Sequence, residues 1–236
     1  MKCFDWTCPA PAEDMACDEA LLDAAEDSRL GEVLRFYEPR DYFVVLGYGN
    51  RARTETRWDA CRREGIPVLR RCSGGGTVLQ GPGCLSYALV LAADQPETAS
   101  ISDANRFIMG RHRRVIQGLV GGEVLTQGHT DLTWNGLKFS GNAQRRKRRF
   151  LLFHGTFLYS FDLSRMDQCL AMPSTEPDYR QHRPHSEFLV NLPVVAEALK
   201  DTLRAAWRAD ESLVAPPDWN GLVASRYGLE EWNQRF

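Results

Sequence analysis

The clearest candidate for chemistry in this sequence is a glycine-rich loop preceded by two arginines. Residues 70–77 read Arg-Arg-Cys-Ser-Gly-Gly-Gly-Thr. Glycine has no Cβ, so the backbone can approach a ligand closely and turn its N–H groups towards an anion, while the guanidinium groups add positive charge beside it. The turn residues Gly81-Pro82-Gly83 and an apolar run over 85–91 follow, which predicts that two strands hold the loop. The sequence therefore predicts a site for a phosphate or a carboxylate, with a flexible surface turn as the alternative.

Two common nucleotide-binding motifs are excluded for this loop. A P-loop requires Gly-Lys-Ser/Thr after the glycines, and here Thr77 and Val78 follow them. A dinucleotide-binding loop requires a helix that opens directly after the glycines, and the residues that follow favour a strand. The loop must therefore hold its anion in another structural context.

A second candidate is Lys138, which the sequence places on a rigid hairpin. Asn135-Gly136 is the strongest short hairpin signal, and it lies between the runs 131–134 and 137–140. A two-residue loop predicts the pairs Trp134–Leu137, Thr133–Lys138, Leu132–Phe139 and Asp131–Ser140. One face is then wholly apolar and the other carries the polar residues Asp131, Thr133, Lys138 and Ser140. The pattern fixes Lys138 on the polar face, although a half-buried sheet with its polar face in water has the same pattern.

Two further features follow the hairpin, and each has two interpretations. Arg145–Arg149 is a run of five cations. It is either a solvated loop or nuclear-localisation patch, or else a docking surface for an acidic partner or a help in neutralising phosphates near Lys138. His154 lies inside an apolar run beside Gly155, where a histidine is either a satisfied core residue or a catalytic group. The sequence alone leaves both pairs of alternatives open.

The elements that must position these groups favour a single domain, 1–236, of the α+β class. Start signals and apolar spacing predict helices that begin near Pro11, Ser102 and Pro193, and a shorter helix over 56–64. Short β-rich runs over 33–37 and 43–46 look like a hairpin, and residues 172–191 look like a long loop over the sheet. Strands in adjacent pairs, with helices between the groups, indicate mixed or antiparallel sheets flanked by helices and not a doubly wound parallel sheet.

Composition excludes several functional classes. The 236 residues include 29 basic and 31 acidic side chains, a net charge of -2, so nothing in the overall charge indicates a nucleic-acid partner. The N-terminus has no apolar signal segment, and the longest apolar run is too short to span a bilayer, so we expect a cytoplasmic protein without a membrane partner. Seven cysteines occur without a Cys-x-x-Cys pair, which argues against a disulfide framework and predicts no metal site.

Five segments resemble, in order along the chain, the biotin/lipoate protein ligase family, in particular its lipoate–protein ligase A branch. These segments are 15–22, 70–78, 128–132, 138–144 and 154–156. The resemblance implies a fold like the catalytic core of biotin protein ligase and of class II aminoacyl-tRNA synthetases. It also implies a reaction, in which ATP with Mg²⁺ converts lipoate or octanoate into an acyl-adenylate, and a lysine of an acceptor lipoyl domain attacks the acyl carbonyl to give an amide.

The same resemblance implies roles for individual residues. Lys138 would contact the phosphate and the acyl carbonyl oxygen, and Asp131 would orient the adenylate or the incoming amine. A fixed ammonium beside that oxygen would stabilise the negative charge that develops there, by about 3 kcal/mol. The pocket for the acyl-adenylate would be formed by Arg71, Ser73, Gly74, Gly75, Gly76 and Thr77, and closed by Asn142, His154, Gly155 and Thr156.

The sequence departs from the family pattern at two positions near the predicted pocket. Gln80 stands where many ligases have a histidine, and Phe153 stands where many have the first of two histidines. The implied partners are the lipoyl domains of 2-oxoacid dehydrogenases or the glycine cleavage H protein. The residues after Trp207 are too few for the accessory domain that many such ligases carry, so we expect a catalytic core that uses a ready-made acyl-adenylate well and needs a separate accessory subunit to make it.

The main alternative is an octanoyltransferase of the same superfamily, which takes the acyl group from acyl carrier protein through a cysteine thioester. That reaction needs a cysteine opposite the lysine. The segment 125–134, where similar transferases carry it, has none, which leaves Cys72, Cys84 and Cys169 as candidates. A further alternative, a non-catalytic binding protein, would be expected to have lost Lys138 or the glycines, and both are present.

Overall fold

Two β-sheets form the centre of the protein, and the computed structural model describes residues 1–236. The strands are β1 (Lys2–Asp5), β2 (Val33–Tyr37), β3 (Phe43–Leu46), β4 (Val68–Arg70), β5 (Val78–Gln80), β6 (Cys84–Ala92), β7 (Val124–Gln127), β8 (Asp131–Trp134), β9 (Leu137–Arg146), β10 (Phe150–Leu158) and β11 (Glu211–Ser212). The large sheet has the order β11-β1-β2-β6-β10-β9-β8-β7, and the small sheet has the order β4-β3-β5. Parallel pairs join β1 to β2 and β11, and β3 to β4, whereas every other pair is antiparallel.

Helices cover both faces of the large sheet. The α-helices are α1 (Pro11–Glu26), α2 (Ala52–Glu55), α3 (Trp58–Arg63), α4 (Ile101–Val120), α5 (Ser164–Cys169), α6 (His185–Phe188), α7 (Ala196–Trp207), α8 (Asn220–Leu222) and α9 (Glu230–Asn233). Short 3-10 turns occur at Pro96–Thr98 and Asp178–Arg180, and a π-helical turn, Val223–Tyr227, continues α8. No helix combines the length and the apolar character that a membrane span requires.

The central strand β6 shows why the sheet needs a helix on each face. Leu89 and Leu91 pack in the core that contains α4 and α7, whereas Ala88 and Val90 pack in the core that contains α1. Successive side chains of a strand point to opposite faces, so an unbroken apolar run produces two apolar faces. The predicted α+β class, with mixed sheets flanked by helices, is confirmed.

One local prediction was wrong, the hairpin, and another, the helix over 56–64, was confirmed with slightly shorter bounds. The runs 33–37 and 43–46 do not form a hairpin, because β2 pairs with β1 and β6 in the large sheet while β3 belongs to the small sheet. The long, buried, apolar strand β6 is the hydrogen-bonding partner of β2. The short connection at Pro39 therefore links the two sheets and does not form a hairpin turn. The helix predicted over 56–64 starts at Trp58, and a separate short helix precedes it.

Candidate active site

The glycine loop lies between β4 and β5, the two strands that flank β3 in the small sheet. The loop approaches the turn after β3 so closely that a Cβ at Gly47 would lie 2.0 Å from the carbonyl oxygen of Gly75. Gly75 itself has a φ of +88°, which other residues rarely adopt. Strands on both sides therefore hold the loop, as predicted, and glycine is required at both of these positions.

Arg71 is a buried cation without a negative partner. Its guanidinium donates hydrogen bonds to the carbonyl oxygens of Gly74 and Gly76, at 2.6 and 2.8 Å, and to Ser73 Oγ at 3.0 Å. Burial lowers the pKa of Arg71 to about 10. A buried cation whose hydrogen-bond acceptors are all neutral favours the binding of an anionic ligand. Arg71 lines a cavity in which such a ligand could lie.

Arg70 points away from that cavity, although the sequence suggested that both arginines serve the anion. Its side chain is completely buried and donates hydrogen bonds to the carbonyl oxygens of Gly47, Tyr48, Asn50, Trp232 and Asn233. Side chains alternate along a strand, so adjacent arginines at its end cannot both face the ligand. Arg70 instead ties the glycine loop to the C-terminal segment.

A chain of hydrogen bonds runs beneath the loop and connects it to α1. Ser73 Oγ lies 2.6 Å from His154 Nε2, and His154 Nδ1 lies 3.0 Å from Asp18 Oδ2. Asp18 also accepts a 2.6 Å hydrogen bond from the fully buried Arg35, which pairs with Asp14 as well. Burial raises the pKa of Asp18, but Arg35 and His154 outweigh it and hold the pKa below its usual value. His154 is therefore neither an isolated core residue nor exposed.

Sequence reasoning missed Asp18 and Arg35. Asp18 lies within the segment 15–22 that resembles the family. The feature that could have identified it is its position as an acidic residue on the buried face of a helix. A buried carboxylate requires a cation, and the arginine in the otherwise apolar strand β2 is the matching signal. Both residues could have been proposed as a buried ion pair from the sequence.

Lys138 lies where the hairpin prediction placed it, beside Asp131. Its Nζ lies 2.9 Å from Asp131 Oδ1, and the hydroxyl of Tyr179 donates a 2.7 Å hydrogen bond to Asp131 Oδ2. Burial, followed by the charge of Asp131, raises the pKa of Tyr179 well above its usual value, so this hydroxyl stays a donor. Tyr179 belongs to the predicted long loop and was not recognised as a site residue.

The hairpin register differs from the prediction at one point. Trp134 pairs with Leu137 and Thr133 with Lys138, as expected, but Leu132 pairs with Ser140 instead of Phe139. A register shift between Leu132 and Thr133 accounts for the difference. A register shift of this kind changes the direction in which side chains point. Here Lys138 and Asp131 lie on the same face of the hairpin, and Phe139 packs in the core.

Three cavities meet at Lys138 and Thr77. The first, about 110 Å³, runs between the two sheets and is lined at its inner end by Met15, Tyr37, Val45, Val78 and Tyr87. The second, about 80 Å³, is lined by apolar groups that include Leu79, Leu158, Met166, Leu170 and Phe188. The third is a polar mouth of about 850 Å³. Thr77 Oγ1 is buried without a hydrogen-bond partner at this junction.

The remaining predicted residues close the junction on one side. Asn142 donates a 2.6 Å hydrogen bond to the carbonyl oxygen of Thr130 and accepts one of 2.6 Å from the hydroxyl of Tyr87. A Cβ at Gly155 would lie 1.8 Å from Asn142 Oδ1, so glycine is required there. The predicted residues that line at least one of the three cavities are Arg71, Gly75, Gly76, Thr77, Asp131, Lys138, Asn142, His154, Gly155 and Thr156, whereas Ser73 and Gly74 support the loop from behind.

None of the candidate cysteines lines these three cavities. Cys72, Cys84 and Cys169 are all buried, at 5%, 1% and 1% exposure. Burial raises the pKa of Cys72 and of Cys84 to about 12 and also raises that of Cys169. The thiolate is the nucleophilic form of cysteine, so these thiols are poor nucleophiles near neutral pH.

The basic run lies at the far end of β9 from Lys138. A strand rises about 3.3 Å per residue, so Arg145–Arg149 begins roughly 20 Å or more from Lys138 and cannot neutralise a phosphate there. Lys147 forms a 2.7 Å ion pair with Asp23, and the backbone N–H of Arg149 donates to Glu26. Much of this run therefore fastens the β9–β10 hairpin to the end of α1.

Metal binding has little support in the protein alone. No group of three or more histidine, cysteine, aspartate or glutamate side chains is arranged to hold a metal ion. Four carboxylates, those of Glu55, Asp131, Glu176 and Asp178, line the polar mouth that Lys138 also lines. A mouth with carboxylates suits a Mg²⁺ ion that arrives with a phosphate ligand, because Mg²⁺ commonly takes one or two protein carboxylates and keeps its phosphate and water ligands.

Comparisons with known proteins agree on the family. The sequence model of the lipoyl protein ligase A/B catalytic domain matches residues 10–204. The octanoyltransferase LipM of Lysinibacillus sphaericus is 25% identical over 262 residues, covering 95% of each chain. The octanoyltransferase LipM of an Exiguobacterium species is 30% identical over 229 residues, which cover 87% of this chain and 80% of the relative.

Solved structures share the fold. A bi-partite lipoate protein ligase from Thermoplasma acidophilum superposes with a TM-score of 0.82 at 20% identity, covering 99% of this chain and 95% of that chain. A lipoate-protein ligase A bound with ATP gives 0.82 at 21% identity, covering 99% of each chain. The biotin protein ligase of Leishmania major gives 0.51 at 12% identity, with 87% and 72% covered. The expected resemblance of the fold to the biotin protein ligase core is thus confirmed, and this chain belongs to the family of lipoyl protein ligase A/B catalytic domains.

Proposed function

We propose that this protein transfers an octanoyl or lipoyl group from an acyl-adenylate to a lysine side chain of an acceptor lipoyl domain. The observation that carries the proposal is the position of Lys138, which lines all three cavities. An acyl chain, a nucleotide and an incoming lysine need three separate spaces that converge on the reacting carbonyl. The geometry supplies three spaces and one fixed ammonium where they converge.

The lining of each cavity suggests its occupant. The first cavity is lined in part by the apolar side chains of Met15, Val45 and Val78, which suits an acyl chain. The apolar second cavity suits a planar base, and its border with the polar mouth carries Arg180. Arg71, the unpaired cation of the first cavity, would face the acyl phosphate region from the glycine loop.

The transfer step can be written for these residues. The amine nitrogen of the acceptor lysine attacks the acyl carbonyl carbon, and negative charge develops on the carbonyl oxygen. Lys138 would stabilise that charge, and Asp131 would hold both Lys138 and the incoming amine in place. The bond between the acyl carbon and the phosphate oxygen then breaks, AMP leaves, and the amine loses a proton to give the amide.

The proposal also specifies the acyl donor, which is an acyl-adenylate. An acyl-enzyme mechanism requires a thiol that faces the lysine, and the cavities around Lys138 have no cysteine in their lining. An adenylate arrives already activated and needs no protein nucleophile. Formation of that adenylate from ATP would need Mg²⁺ beside the phosphates, and carboxylates of the polar mouth such as Asp131 or Glu55 would hold it.

Octanoyl transfer from acyl carrier protein is the second candidate. The relatives described above carry the name octanoyltransferase, which favours this alternative over an ATP-dependent ligase. With no cysteine in the cavities, such a transfer would require direct attack of the acceptor lysine on the donor thioester. Lys138 would serve the same purpose in both reactions, since the developing oxyanion is the same.

The proposed partners are acidic lipoyl domains, either of 2-oxoacid dehydrogenases or of the glycine cleavage H protein type. A lipoate protein ligase of similar fold is described as bi-partite and as part of a lipoylation system with its E2 lipoyl domain. We therefore also propose that a separate accessory subunit assists adenylate formation here. Transfer from a ready-made adenylate would not need that subunit.

One experiment separates the donors. The protein is incubated with an apo lipoyl domain and one of three donors, namely octanoyl-acyl carrier protein, synthetic octanoyl- or lipoyl-adenylate, or the free acid with Mg²⁺ and ATP. Intact mass reports the acylated domain, and a domain whose acceptor lysine is replaced by arginine is the control. The proposal expects rapid transfer from the adenylate.

The other outcomes are equally clear. Transfer from octanoyl-acyl carrier protein alone would reject the adenylate donor. If the acceptor lysine attacks the donor thioester directly, this transfer should be retained in the variants Cys72→Ser and Cys169→Ser. Transfer from no donor would reject acyl transfer altogether.

A further inference from the structure

We infer that the acceptor domain docks through its acidic surface on an arginine-rich rim beside the glycine loop. We call this surface the arginine rim, and it consists of Tyr48, Arg51, Arg53, Arg235 and Phe236. The inference rests on the proposed function, and it replaces the basic run Arg145–Arg149 as the docking surface. Its support is the position of the rim, the state of its charges and the types of its side chains.

The rim adjoins the opening through which an acceptor lysine must enter. Gly47 contacts the glycine loop at Gly75, and the turn that follows carries Tyr48 and Asn50. Asn50 and Gly75 line the polar mouth together with Lys138. The surface around this turn therefore borders one side of the opening through which a domain can extend a lysine side chain to Lys138.

Three side chains of the rim, Tyr48, Arg235 and Phe236, pack together into one surface. Tyr48 and Phe236 are exposed, at 37% and 51%, and their rings lie 6.1 Å apart. Arg235 lies over both rings, at 5.2 and 5.0 Å, and donates a 3.2 Å hydrogen bond to the hydroxyl of Tyr48. Tyrosine and arginine are the side chains that protein interfaces favour, because they combine a large apolar area with polar groups.

The charges of the rim are free. Arginines elsewhere form the ion pairs of this protein, which leaves Arg51, Arg53 and Arg235 without a carboxylate partner. Glu55, on the same short helix as Arg53, turns inward to the polar mouth and is buried. Of the side chains in the basic run only Lys147 has a carboxylate partner, Asp23, so the run differs from the rim in its place, because it begins roughly 20 Å or more from Lys138.

These observations define the partner. Arg235 over the two exposed rings, together with Arg51 and Arg53 shortly after Tyr48 in the chain, complements a domain that carries carboxylates next to its acceptor lysine. Complementary charge accelerates association and orients the partner, whereas it changes the chemical step little. The rim would thus select an acidic domain and present its lysine to the polar mouth.

The test uses matched charge reversals. Arg51→Glu/Arg53→Glu and Arg235→Glu alter the rim, and Arg113→Glu/Arg114→Glu is the control, because these exposed arginines lie on α4, on the opposite face of the large sheet. The readouts are KM and kcat for an acidic apo lipoyl domain, calorimetric binding of that domain, and acyl transfer to hydroxylamine, which needs no docking. All are measured at low and high salt.

We expect the rim double variant to raise KM and weaken binding by about tenfold or more at low salt, with transfer to hydroxylamine unchanged. High salt should reduce the difference from the unmodified protein. Equal effects of the rim and control variants on binding would overturn the inference. An unmodified protein that binds the domain but transfers no acyl group would reject the proposed function and leave the rim supported, since calorimetry does not depend on catalysis.

Discussion

Ser73 Oγ lies 2.6 Å from His154 Nε2, while the other ring nitrogen of His154 lies 3.0 Å from Asp18. The three groups have the order of a serine-histidine-carboxylate triad, but Ser73 is only 1% exposed and lines none of the three cavities. Its oxygen also accepts a hydrogen bond from Arg71 Nε. A nucleophile must reach its substrate, so we conclude that this arrangement fixes the glycine loop and Arg71 on α1.

Replacement of Ser73 by alanine distinguishes these roles. The variant loses the hydrogen bonds to His154 and Arg71, which should lower the free energy of unfolding by about 1–3 kcal/mol and raise KM for the acyl-adenylate. Because the role is positional, we expect acyl transfer to fall by only about tenfold. Single-turnover kinetics check this, and a loss of about ten thousandfold with KM unchanged would indicate a covalent role instead.

Replacement of Lys138 by methionine tests the charge at the junction of the cavities. Methionine keeps the length of the side chain and removes the ammonium, so the developing charge on the acyl oxygen loses its stabilising partner. We expect the rate of transfer to fall by about a hundred- to a thousandfold, with circular dichroism unchanged. A folded variant that retains more than about a tenth of the normal rate would contradict the role of Lys138.

Local patterns carried most of the information about the site. The Asn135-Gly136 turn correctly paired Thr133 with Lys138, because a two-residue loop fixes the register next to it, and Asp131 reaches Lys138 in spite of the register shift further along the strand. The paired arginines and glycines likewise located the loop. These predictions succeeded because each rests on the conformational limits of a few neighbouring residues.

Relationships between distant segments could not be predicted in the same way. The pairing of β2 with β6, the link from His154 to Asp18, and the contact of Tyr179 with Asp131 join residues that are far apart in sequence. Tertiary packing decides which buried groups meet, and an isolated polar residue in an apolar run does not name its partner. The sequence left the role of the basic run open for the same reason, since its distance from Lys138 depends on the length of β9.

His112 should make the stability of the protein fall in mild acid. It is completely buried, accepts a 2.9 Å hydrogen bond from Trp207 Nε1 and lies 5.0 Å from the ring of Tyr87. Burial, with a smaller effect of Arg111, lowers the pKa of His112 to about 3. The unfolded chain binds a proton near pH 6.5 and the folded chain does not, so the contribution to stability is complete above that pH and is lost as pH falls towards 3.

The test compares His112→Gln, which keeps an acceptor for Trp207, with the unmodified protein in urea unfolding at pH 7 and pH 5. Titration of His112 should account for about 2 kcal/mol of the loss between these two pH values, and the variant should lack that part. An equal loss in both proteins would show that His112 does not titrate on unfolding. The Asp18 carboxylate, with its lowered pKa, acts at more acidic pH and is common to both proteins.

Arg70 should be required for the geometry of the glycine loop although it does not face the ligand. Its side chain donates to five carbonyl oxygens, its backbone N–H donates a 2.9 Å hydrogen bond to Asn233 Oδ1, and its carbonyl oxygen accepts one of 2.9 Å from Trp232 Nε1. These bonds fasten α9 and the turn after β3 to the strand that leads into the loop. Without the guanidinium, buried carbonyl oxygens would lose their partners, at a cost of about 1–3 kcal/mol for each group left unsatisfied.

We therefore expect Arg70→Lys, which keeps the charge but offers only three donors on a shorter, non-planar head group, to destabilise the protein by at least about 2 kcal/mol. It should also raise KM for the acyl-adenylate, because Gly75 rests on the turn that Arg70 holds. Urea unfolding and single-turnover transfer measure the two effects, and Arg63→Lys, at an exposed position on α3, is the matched control. If both lysine variants behave like the unmodified protein, the C-terminal segment does not hold the loop through Arg70. If Arg70→Lys loses stability with KM unchanged, Arg70 stabilises the fold without shaping the site.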